Sequence, residues 1–205
     1  MTLSEQHIIP FDLALETDRV LLRPIRESDF DDFLALAQDE DTWTYFSLNL
    51  ADPVQLRQWM SDAARDREAD TRRPFTIVEK ATGRIVGSTS MGNISRHDLR
   101  VEIGWSWLGK DFKGSGLNRH SKFSIMWYVF EVLRFERVEF KTDVLNSRAR
   151  QGLRNVGGQE EGVLRSHMTM WNDRRRDSVY YSVLKKEWPV LQETIFKDLH
   201  THEAH

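Results

Sequence analysis

A glycine-containing loop in the middle of the chain has the composition of an anion-binding site. Its six residues are Lys113, Gly114, Ser115, Gly116, Leu117 and Asn118. Glycines let the backbone turn tightly and approach a ligand closely. The helical pattern that follows supplies unpaired N–H groups and a partial positive charge at its N-terminus, where a phosphate can bind. The loop therefore predicts phosphate binding, although a tight turn that merely needs glycine has the same composition.

Two common nucleotide-binding loops do not match this segment. A P-loop requires a lysine directly after its last glycine, whereas Leu117 follows Gly116 here. A dinucleotide-binding loop requires a third glycine, and that position is Arg119. The strand that enters the loop also follows other strands in a meander instead of opening a βαβ unit. The sequence therefore disfavours ATPases and dehydrogenases.

Charge is balanced over the whole chain but unevenly distributed. The 29 Lys+Arg and 32 Asp+Glu residues give a formal net charge of -3. Residues 27–70 hold twelve acidic and three basic side chains, whereas residues 110–154 hold ten basic and five acidic ones. Such blocks are either solvated helix faces or surroundings for a cationic ligand near the first and an anionic ligand near the second. The overall balance excludes a uniformly basic nucleic-acid-binding protein.

Composition excludes several other kinds of chemistry. The chain has no cysteine, which excludes a disulfide scaffold, a cysteine-ligated metal centre and a thiol nucleophile. No apolar run approaches the roughly 20 residues that a membrane-spanning helix needs, and residues 1–16 lack the pattern of a signal peptide. We expect a cytoplasmic protein with no membrane or nucleic-acid partner.

The elements around the loop follow from hydrophobic periodicity. Strands are predicted over residues 17–25, 75–78, 85–89, 99–108, 138–144, 162–170 and 178–184. Helices are predicted over residues 28–37, 52–69, 117–134, 147–156 and 187–199. This mixture predicts an α+β fold with a central, mostly antiparallel sheet. We expect a single domain over residues 1–205, with a core at about 15–188, an N-terminal arm (1–14) and a C-terminal helix and tail (187–205).

Two helix starts carry recognisable signals. Ser28 is the predicted N-cap of the first helix, because acidic residues and helically spaced apolar residues follow it. Asp52 is the predicted N-cap of the second, with proline at the first position and glutamine three residues after the cap. The apolar side chains that we expect this second helix to turn inward are Val54, Trp59, Met60 and Ala63.

The ordered motifs resemble the GNAT superfamily of acetyl-CoA-dependent N-acetyltransferases, and most closely its ribosomal-protein N-terminal acetyltransferase (RimJ/RimL-like) branch. The family's acetyl-CoA motif, Q/R-x-x-G-x-G/A, reads DFKGSG from Asp111 to Gly116. VEIGWSWL at residues 101–108 resembles the family's fourth strand. EFKTDVLN at residues 139–146 resembles the fifth strand and its cofactor-binding asparagine. RVLLRP at 19–24 and DTW at 41–43 also suit this branch, and the likeness covers roughly residues 15–188.

The resemblance implies a seven-stranded mixed sheet that splays between strands four and five, with helices on both faces. It implies that the CoA pyrophosphate lies on the loop amides of residues 113–118, and that the pantetheine arm lies beside the backbone of Trp107 and Leu108. Asn146 is expected to hydrogen-bond this arm, and Arg150 to reach the nucleotide end. The alternatives are that Asn146 caps the helix that follows and that Arg150 is a solvated helix residue.

The implied reaction is acetyl transfer to a primary amine by direct attack in a ternary complex, since no protein thioester can form without cysteine. A backbone N–H of Leu108 or its neighbour is the expected oxyanion donor. Glu102 is the candidate general base, and the alternative is an exposed carboxylate paired with Arg100. His167 is a second candidate because its near-neutral pKa suits proton transfer, although a lone strand histidine is often structural.

Three positions depart from the family pattern. Asp111 replaces the usual Gln or Arg, a change that this branch tolerates. Ala149 and Leu153 stand where many relatives carry a serine or a tyrosine that protonates the leaving thiolate. Water, Tyr180 or Tyr181 could take this part, although both tyrosines suit a packing role. A CoA-binding GNAT-fold protein with weak or lost catalysis is therefore the alternative function.

The acceptor is predicted only by class, as a protein N-terminus or a small amine. The acidic block and the aromatic residues of the loop between the first two helices predict a cleft for a cationic acceptor with an apolar part. The residues of that cleft would be Asp39, Glu40, Asp41, Trp43, Tyr45 and Phe46. A homodimer is a family expectation.

The C-terminal tail contains three histidines that resemble a metal cluster, His200, His202 and His205. A frayed terminus explains them more simply, so no metal is expected.

Overall fold

The computed structural model describes residues 8–202. The strands are β1 (Leu15–Thr17), β2 (Val20–Pro24), β3 (Arg72–Glu79), β4 (Ile85–Ser95), β5 (Arg100–Leu108), β6 (Arg137–Asp143), β7 (Gln159–Thr169), β8 (Arg175–Leu184) and β9 (Thr201–His202). The α-helices are α1 (Phe30–Leu36), α2 (Pro53–Glu68), α3 (Leu117–Trp127), α4 (Ser147–Arg154) and α5 (Trp188–Glu193). A π-helical turn, Tyr128–Val132, continues α3.

Within residues 8–202 the strands form one nine-stranded sheet in the order β7-β8-β6-β5-β4-β3-β2-β1-β9. The β5–β6 pair is parallel and the other neighbours are antiparallel. The predicted α+β class and mixed sheet are confirmed, but seven strands were too few. The predicted first strand, residues 17–25, corresponds to β2. The strand β1 before it was not predicted, and the two-residue β9 pairs with β1.

The buried side chains form two clusters on opposite faces of the sheet. The larger contains Val101, Ile103 and Phe140 of the central strands together with α3. The smaller lies under α1 and α2 and is rich in aromatic rings. Ile9 and Leu13, in the segment predicted as an N-terminal arm, are buried in the larger cluster.

The start of α2 is as predicted, whereas the start of α1 is not. The Oδ1 atom of Asp52 accepts a hydrogen bond of 2.8 Å from the amide of Val54. Ser28 lies inside a short 3₁₀ helix, Glu27–Asp29, so the residue that precedes α1 is Asp29.

The inward face of α2 also differs from the prediction at its first turn. Leu56, Trp59 and Ala63 are buried, while Val54 is 73% exposed. Residues two apart on a helix point in different directions. Once Leu56 faces the core, Val54 must face solvent.

A β-bulge in β5 determines which side chains face α1 and α2. Gly104 pairs with Ser90 and Trp107 with Ser88, so two residues of β5 oppose one residue of β4. Trp105, inside the bulge, has φ of 52°. The extra residue shifts the alternation of side chains along β5. Trp105 and Trp107 therefore face the same side of the sheet as Glu102.

Candidate active site

The central parallel pair of strands separates part of the way along its length. β5 and β6 pair at only three positions, from Arg100 opposite Arg137 to Glu102 opposite Glu139. The strands continue to Leu108 and Asp143 beyond these pairs. The predicted splay is therefore present, and we call the opening between the separated strands the β5–β6 gap.

The glycine loop joins β5 to α3. Gly114 and Gly116 have φ of +84° and +89°, a region that glycine occupies readily and other residues do not. In the part of the chain from 8 to 202, the amides of Gly114, Gly116 and Asn118 have no hydrogen-bond acceptor. A Cβ built on Gly114 has no atom within 4 Å. The loop thus offers backbone donors to an anion at the start of a helix.

The charged side chains beside the loop are mostly bound to other protein groups. The ammonium group of Lys113 lies 2.6 Å from both Asp39 Oδ2 and Thr42 Oγ1, and its hydrogen bond lowers the pKa of Asp39. Arg119 forms an ion pair with Asp198. Arg19, which the sequence predicted only as part of a family motif and not as a site residue, donates to the carbonyl of Ser115 at 3.1 Å. Anion contacts from this loop therefore come mainly from its backbone.

Glu102 is buried at the edge of the gap, with 4% of its surface exposed. Its Oε2 atom accepts hydrogen bonds from Asn93 Nδ2 at 2.7 Å and from Lys141 Nζ at 3.1 Å. Arg100 pairs instead with Asp98 and Glu139. The alternative of an exposed carboxylate paired with Arg100 is therefore wrong.

His167 lies on β7 in the same electrostatic environment. Its Nδ1 atom is 3.0 Å from Ser178 Oγ. Burial lowers its pKa, Lys141 and Arg176 act in the same direction, and the carboxylate of Glu102 opposes them. The imidazole is therefore held mainly neutral at pH 7, which is the form that accepts a proton.

Asn146 and Arg150 both make intramolecular contacts at α4. The Oδ1 atom of Asn146 accepts from the amide of Ala149 at 2.9 Å, which is the capping interaction. Arg150 donates to the hydroxyl of Tyr181 at 3.1 Å and to both oxygens of Glu160. Arg150 is thus part of an ion-pair network rather than a solvated helix arginine.

Tyr181 belongs to the same network. Its side chain is fully buried, and its hydroxyl donates to Glu160 Oε2 at 2.7 Å. Tyr180 is half-buried, and its ring packs edge-on to His167 with centroids 5.9 Å apart. Tyr181 therefore has a structural part, as the packing interpretation predicted. Tyr180 lies on the same side of the sheet as His167.

The last two residues of β5, Trp107 and Leu108, are buried in different clusters. Leu108 packs in the larger core cluster. Trp107 packs in the smaller cluster, with ring centroids 5.4 Å from Phe33 and 5.3 Å from Trp43. A Cβ on Gly87 of β4 would lie 2.1 Å from the carbonyl oxygen of Trp107, so only glycine permits this close approach.

A cavity of about 200 Å³ lies between α2 and β5, and we call it the tryptophan cavity. Its lining includes Phe46, Trp59, Asp62, Arg72, Trp105 and Trp107. The carboxylates predicted for an acceptor cleft are elsewhere, because Asp39, Glu40 and Asp41 line a separate cavity of about 490 Å³ together with Arg84 and Lys110. Trp43 is fully buried.

The carboxylates at the tryptophan cavity, Asp62 and Asp66, were missed by the sequence reasoning. Their spacing of four residues places them on one face of α2. That signal was present in the sequence, but it does not distinguish a ligand-binding face from a solvated one.

Neither metal ligands nor membrane spans emerge from the described part of the chain. No group of three or more His, Asp or Glu side chains in residues 8–202 is arranged to hold a metal ion. Of the tail histidines, His200 is exposed, His202 belongs to β9, and His205 lies outside the described residues. None of the helices within these residues combines the length and hydrophobicity needed to cross a bilayer.

The sequence matches a known protein family over most of its length. A model of the acetyltransferase (GNAT) domain matches residues 19–159. The chain therefore belongs to the GNAT family, as its motifs predicted, and it is an acetyltransferase enzyme of the acyltransferase class.

Individual relatives agree with this assignment. "Putative ribosomal N-acetyltransferase YdaF" of Bacillus subtilis (strain 168) is 28% identical over 170 residues, which cover 76% of this chain and 92% of that protein. The crystal structure of a GCN5-related N-acetyltransferase from Brucella melitensis has a TM-score of 0.82 and 26% identity, covering 90% of this chain and 84% of that one.

A third similar structure is that of Mycobacterium smegmatis RimJ in complex with CoA-disulfide. Its TM-score is 0.76 at 19% identity, and the match covers 90% of this chain and 93% of that one. At this identity the likeness concerns the fold.

Proposed function

We propose that this enzyme transfers the acetyl group of acetyl-CoA to a primary amine, either a protein N-terminus or a small amine, by direct attack in a ternary complex. One observation carries the proposal: the β5–β6 gap has unpaired loop amides at one end and the buried carboxylate of Glu102 at its edge. The GNAT family implies acetyl-CoA, and the relative named as a putative ribosomal N-acetyltransferase favours a protein acceptor.

The glycine loop is the proposed pyrophosphate site. The unpaired amides of Gly114, Gly116 and Asn118 are the donors that fit a diphosphate at a helix N-terminus. The backbone of Lys113, Ser115 and Leu117 completes the loop, and Arg19 adds a positive charge beside it.

The gap is the proposed site of the pantetheine arm. The backbone of Trp107 and Leu108 borders it at the end of β5. The cap made by Asn146 uses only its Oδ1 atom, so the NH₂ group of the same carboxamide remains as a donor to the arm. Arg150 supports this end of the site through Tyr181 and is the proposed contact to the nucleotide end of CoA.

The proposed chemistry needs few protein groups. Bound acetyl-CoA supplies a thioester carbonyl and a thiolate leaving group. Glu102 accepts a proton from the acceptor ammonium, and the amine nitrogen then bonds to the carbonyl carbon. The backbone N–H of Leu108 or its neighbour stabilises the oxyanion while the C–S bond breaks. Neutral His167 is the alternative to Glu102 as proton acceptor. The nitrogen loses its second proton to water as the amide forms, and water or Tyr180 returns a proton to the thiolate.

A CoA-binding protein with weak or lost catalysis is the alternative. Ala149 and Leu153 provide no hydroxyl at the usual positions, and the hydroxyl of Tyr181 is bound to Glu160. These observations leave water or Tyr180 as the thiolate's proton donor. A homodimer, a cytoplasmic location and a single domain over the whole chain stay predictions.

Calorimetry with CoA and a thiol-release assay separate the two functions. The proposal predicts CoA binding together with thiol release that increases when a primary amine is added. Tight CoA binding without amine-dependent thiol release across a panel of peptides and small amines would establish the alternative instead.

A further inference from the structure

The side chain of Lys141 places an amine of the protein itself beside the carboxylate of Glu102. Lys141 lies on β6 two residues beyond Glu139, the last residue of β6 that pairs with β5, and therefore at the start of the β5–β6 gap. Its Nζ atom is 3.1 Å from Glu102 Oε2. The proposed reaction requires an ammonium group that can give a proton to this carboxylate, and Lys141 already supplies one.

The remaining donors of the Lys141 ammonium are not occupied by protein groups. Within residues 8–202, Nζ has Glu102 as its hydrogen-bond partner and no other, although an ammonium group has three donors. The side chain keeps 19% of its surface exposed. The ring centroid of Trp105 is 6.0 Å from Nζ, and Trp105 belongs to the part of β5 that no longer pairs with β6. The amine is thus close both to the carboxylate and to the strand that borders the gap.

Two other lysines of the chain provide internal comparisons. Lys80 forms an ion pair of 3.0 Å with Glu16 and is more exposed than Lys141, but it follows β3, which β4 separates from β5. Burial lowers the pKa of Lys122 to about 8, and its Nζ atom donates to Asn118 Oδ1 at 2.7 Å rather than to a carboxylate. Lys80 therefore matches the ion pair without the gap, and Lys122 is a readily deprotonated amine without the contact to Glu102.

We infer that Lys141 is a self-acetylation site, which accepts the acetyl group of acetyl-CoA bound to the same molecule with Glu102 as proton acceptor. The inference rests on the proposed acetyltransferase function and adds an acceptor within the chain. Nζ gives one proton to Glu102 and bonds to the carbonyl carbon of the thioester. The C–S bond breaks, the nitrogen loses a second proton to water, and the thiolate takes a proton from water. The products are an amide at Nζ, free CoA and, once Glu102 is ionised again, one released proton.

Peptide mass spectrometry of the unmodified protein tests the inference. The protein is incubated without any added amine and with acetyl-CoA that carries a trideuterated acetyl group, which distinguishes new acetylation from any present at purification. We expect Lys141 to be acetylated at least about 10²-fold faster than Lys80, since a positioned proton acceptor supplies a factor of this size. The rate per molecule should not depend on protein concentration, because the reaction takes place within one chain.

Two variants assign the reaction to the named groups. Glu102→Gln should slow the acetylation of Lys141 about 10²- to 10⁴-fold and leave that of Lys80 unchanged. Lys141→Arg keeps a positive charge beside Glu102, but a guanidinium does not lose its proton in proteins. The intact variant should therefore lack the fast acetylation. A CoA dissociation constant equal to that of the unmodified protein shows that each variant folds. Acetylation of Lys141 that is already complete at purification, and absent from Glu102→Gln, supports the inference equally.

Three results would overturn the inference. The first is acetylation of Lys141 no faster than that of Lys80. The second is preferential acetylation of Lys122, because the basicity of the amine rather than contact with Glu102 would then determine the site. The third is a rate per molecule that rises with protein concentration, since the transfer would then take place between molecules.

The same incubation, repeated with added amines, separates this inference from the proposed function. If added amines are acetylated while Lys141 stays unmodified, the inference fails and the acetyltransferase function stands. If CoA binds and neither Lys141 nor any added amine is acetylated, the proposed function fails as well.

Discussion

Replacing Gly114 by alanine tests whether the loop amides bind CoA. Gly114 has φ of +84° and no atom within 4 Å of a Cβ built on it. The substitution therefore creates no clash inside the protein, and its cost to folding is the left-handed backbone alone, about 1–2 kcal/mol. For a chain of this size we expect the thermal midpoint to fall by about 2–4 °C per kcal/mol.

The effect on CoA should be larger than the effect on stability. Alanine disfavours the positive φ value of the loop, and its methyl group would project into the open space beside Gly114, where we place the pyrophosphate. Loss of one hydrogen bond to a charged group is worth about 1.5–3 kcal/mol. The dissociation constant of CoA, measured by calorimetry, should therefore rise about 10- to 150-fold.

Gly83 provides the matched control for this substitution. It lies in the turn between β3 and β4 with φ of +70° and likewise has no atom within 4 Å of its Cβ position. Gly83→Ala should lower the thermal midpoint by a similar amount and leave CoA affinity unchanged. If Gly114→Ala loses the same stability and binds CoA as tightly as the unmodified protein, the loop is not the pyrophosphate site.

Three further predictions concern stability and charge. Asp29→Asn should lower the free energy of unfolding in urea by about 3–5 kcal/mol, because Asp29 is buried and forms two hydrogen bonds to the guanidinium of Arg23; a loss below about 1 kcal/mol would refute this. Burial lowers the pKa of His120 from 6.5, so the unfolded chain binds the proton more readily and stability should fall as pH drops below about 6.5. His120→Gln should flatten that slope in urea titrations, and an unchanged slope would contradict it. Lys113→Met should change the CoA dissociation constant less than about threefold, because the ammonium is bound to Asp39; a tenfold loss would show that it contacts the phosphate.

Much of the site's framework could be predicted from local sequence signals. Asp52 and the proline after it mark the start of α2, and the glycines of residues 113–118 mark a loop before a helix. These features depend on backbone conformations that few residue types adopt, and are therefore visible in a single sequence. The parallel pairing and splay of β5 and β6 came from resemblance to the family rather than from residue patterns.

The parts that could not be predicted depend on contacts between distant segments. The alternation of residues 99–108 predicted an uninterrupted strand, whereas the bulge at Trp105 depends on pairing with β4. Lys141 lies 39 residues from Glu102 in the sequence and 3.1 Å from it in the fold. Lys113 is paired with Asp39, which lies in another segment of the chain, so the sequence of the loop does not show that this positive charge is already balanced.

The acidic block shows the same limitation. Its net charge indicated an environment for a cation, but composition does not distinguish Asp39, which pairs with Lys113, from Asp66, which borders the tryptophan cavity. Which of these two carboxylates borders the cavity depends on how their segments pack in the fold, and composition does not show this.

The central claim is that Glu102 accepts the proton of the acceptor amine. Acetyl transfer by the Glu102→Gln variant tests it most directly. The amide keeps the size of the buried side chain and removes its ability to accept a proton. We predict that amine-dependent thiol release falls about 10²- to 10⁴-fold in kcat, while the CoA dissociation constant stays the same. Glu139→Gln on the neighbouring strand, whose carboxylate pairs with Arg137, should keep its activity. An unchanged kcat in Glu102→Gln, with CoA still bound, would contradict the account of this site.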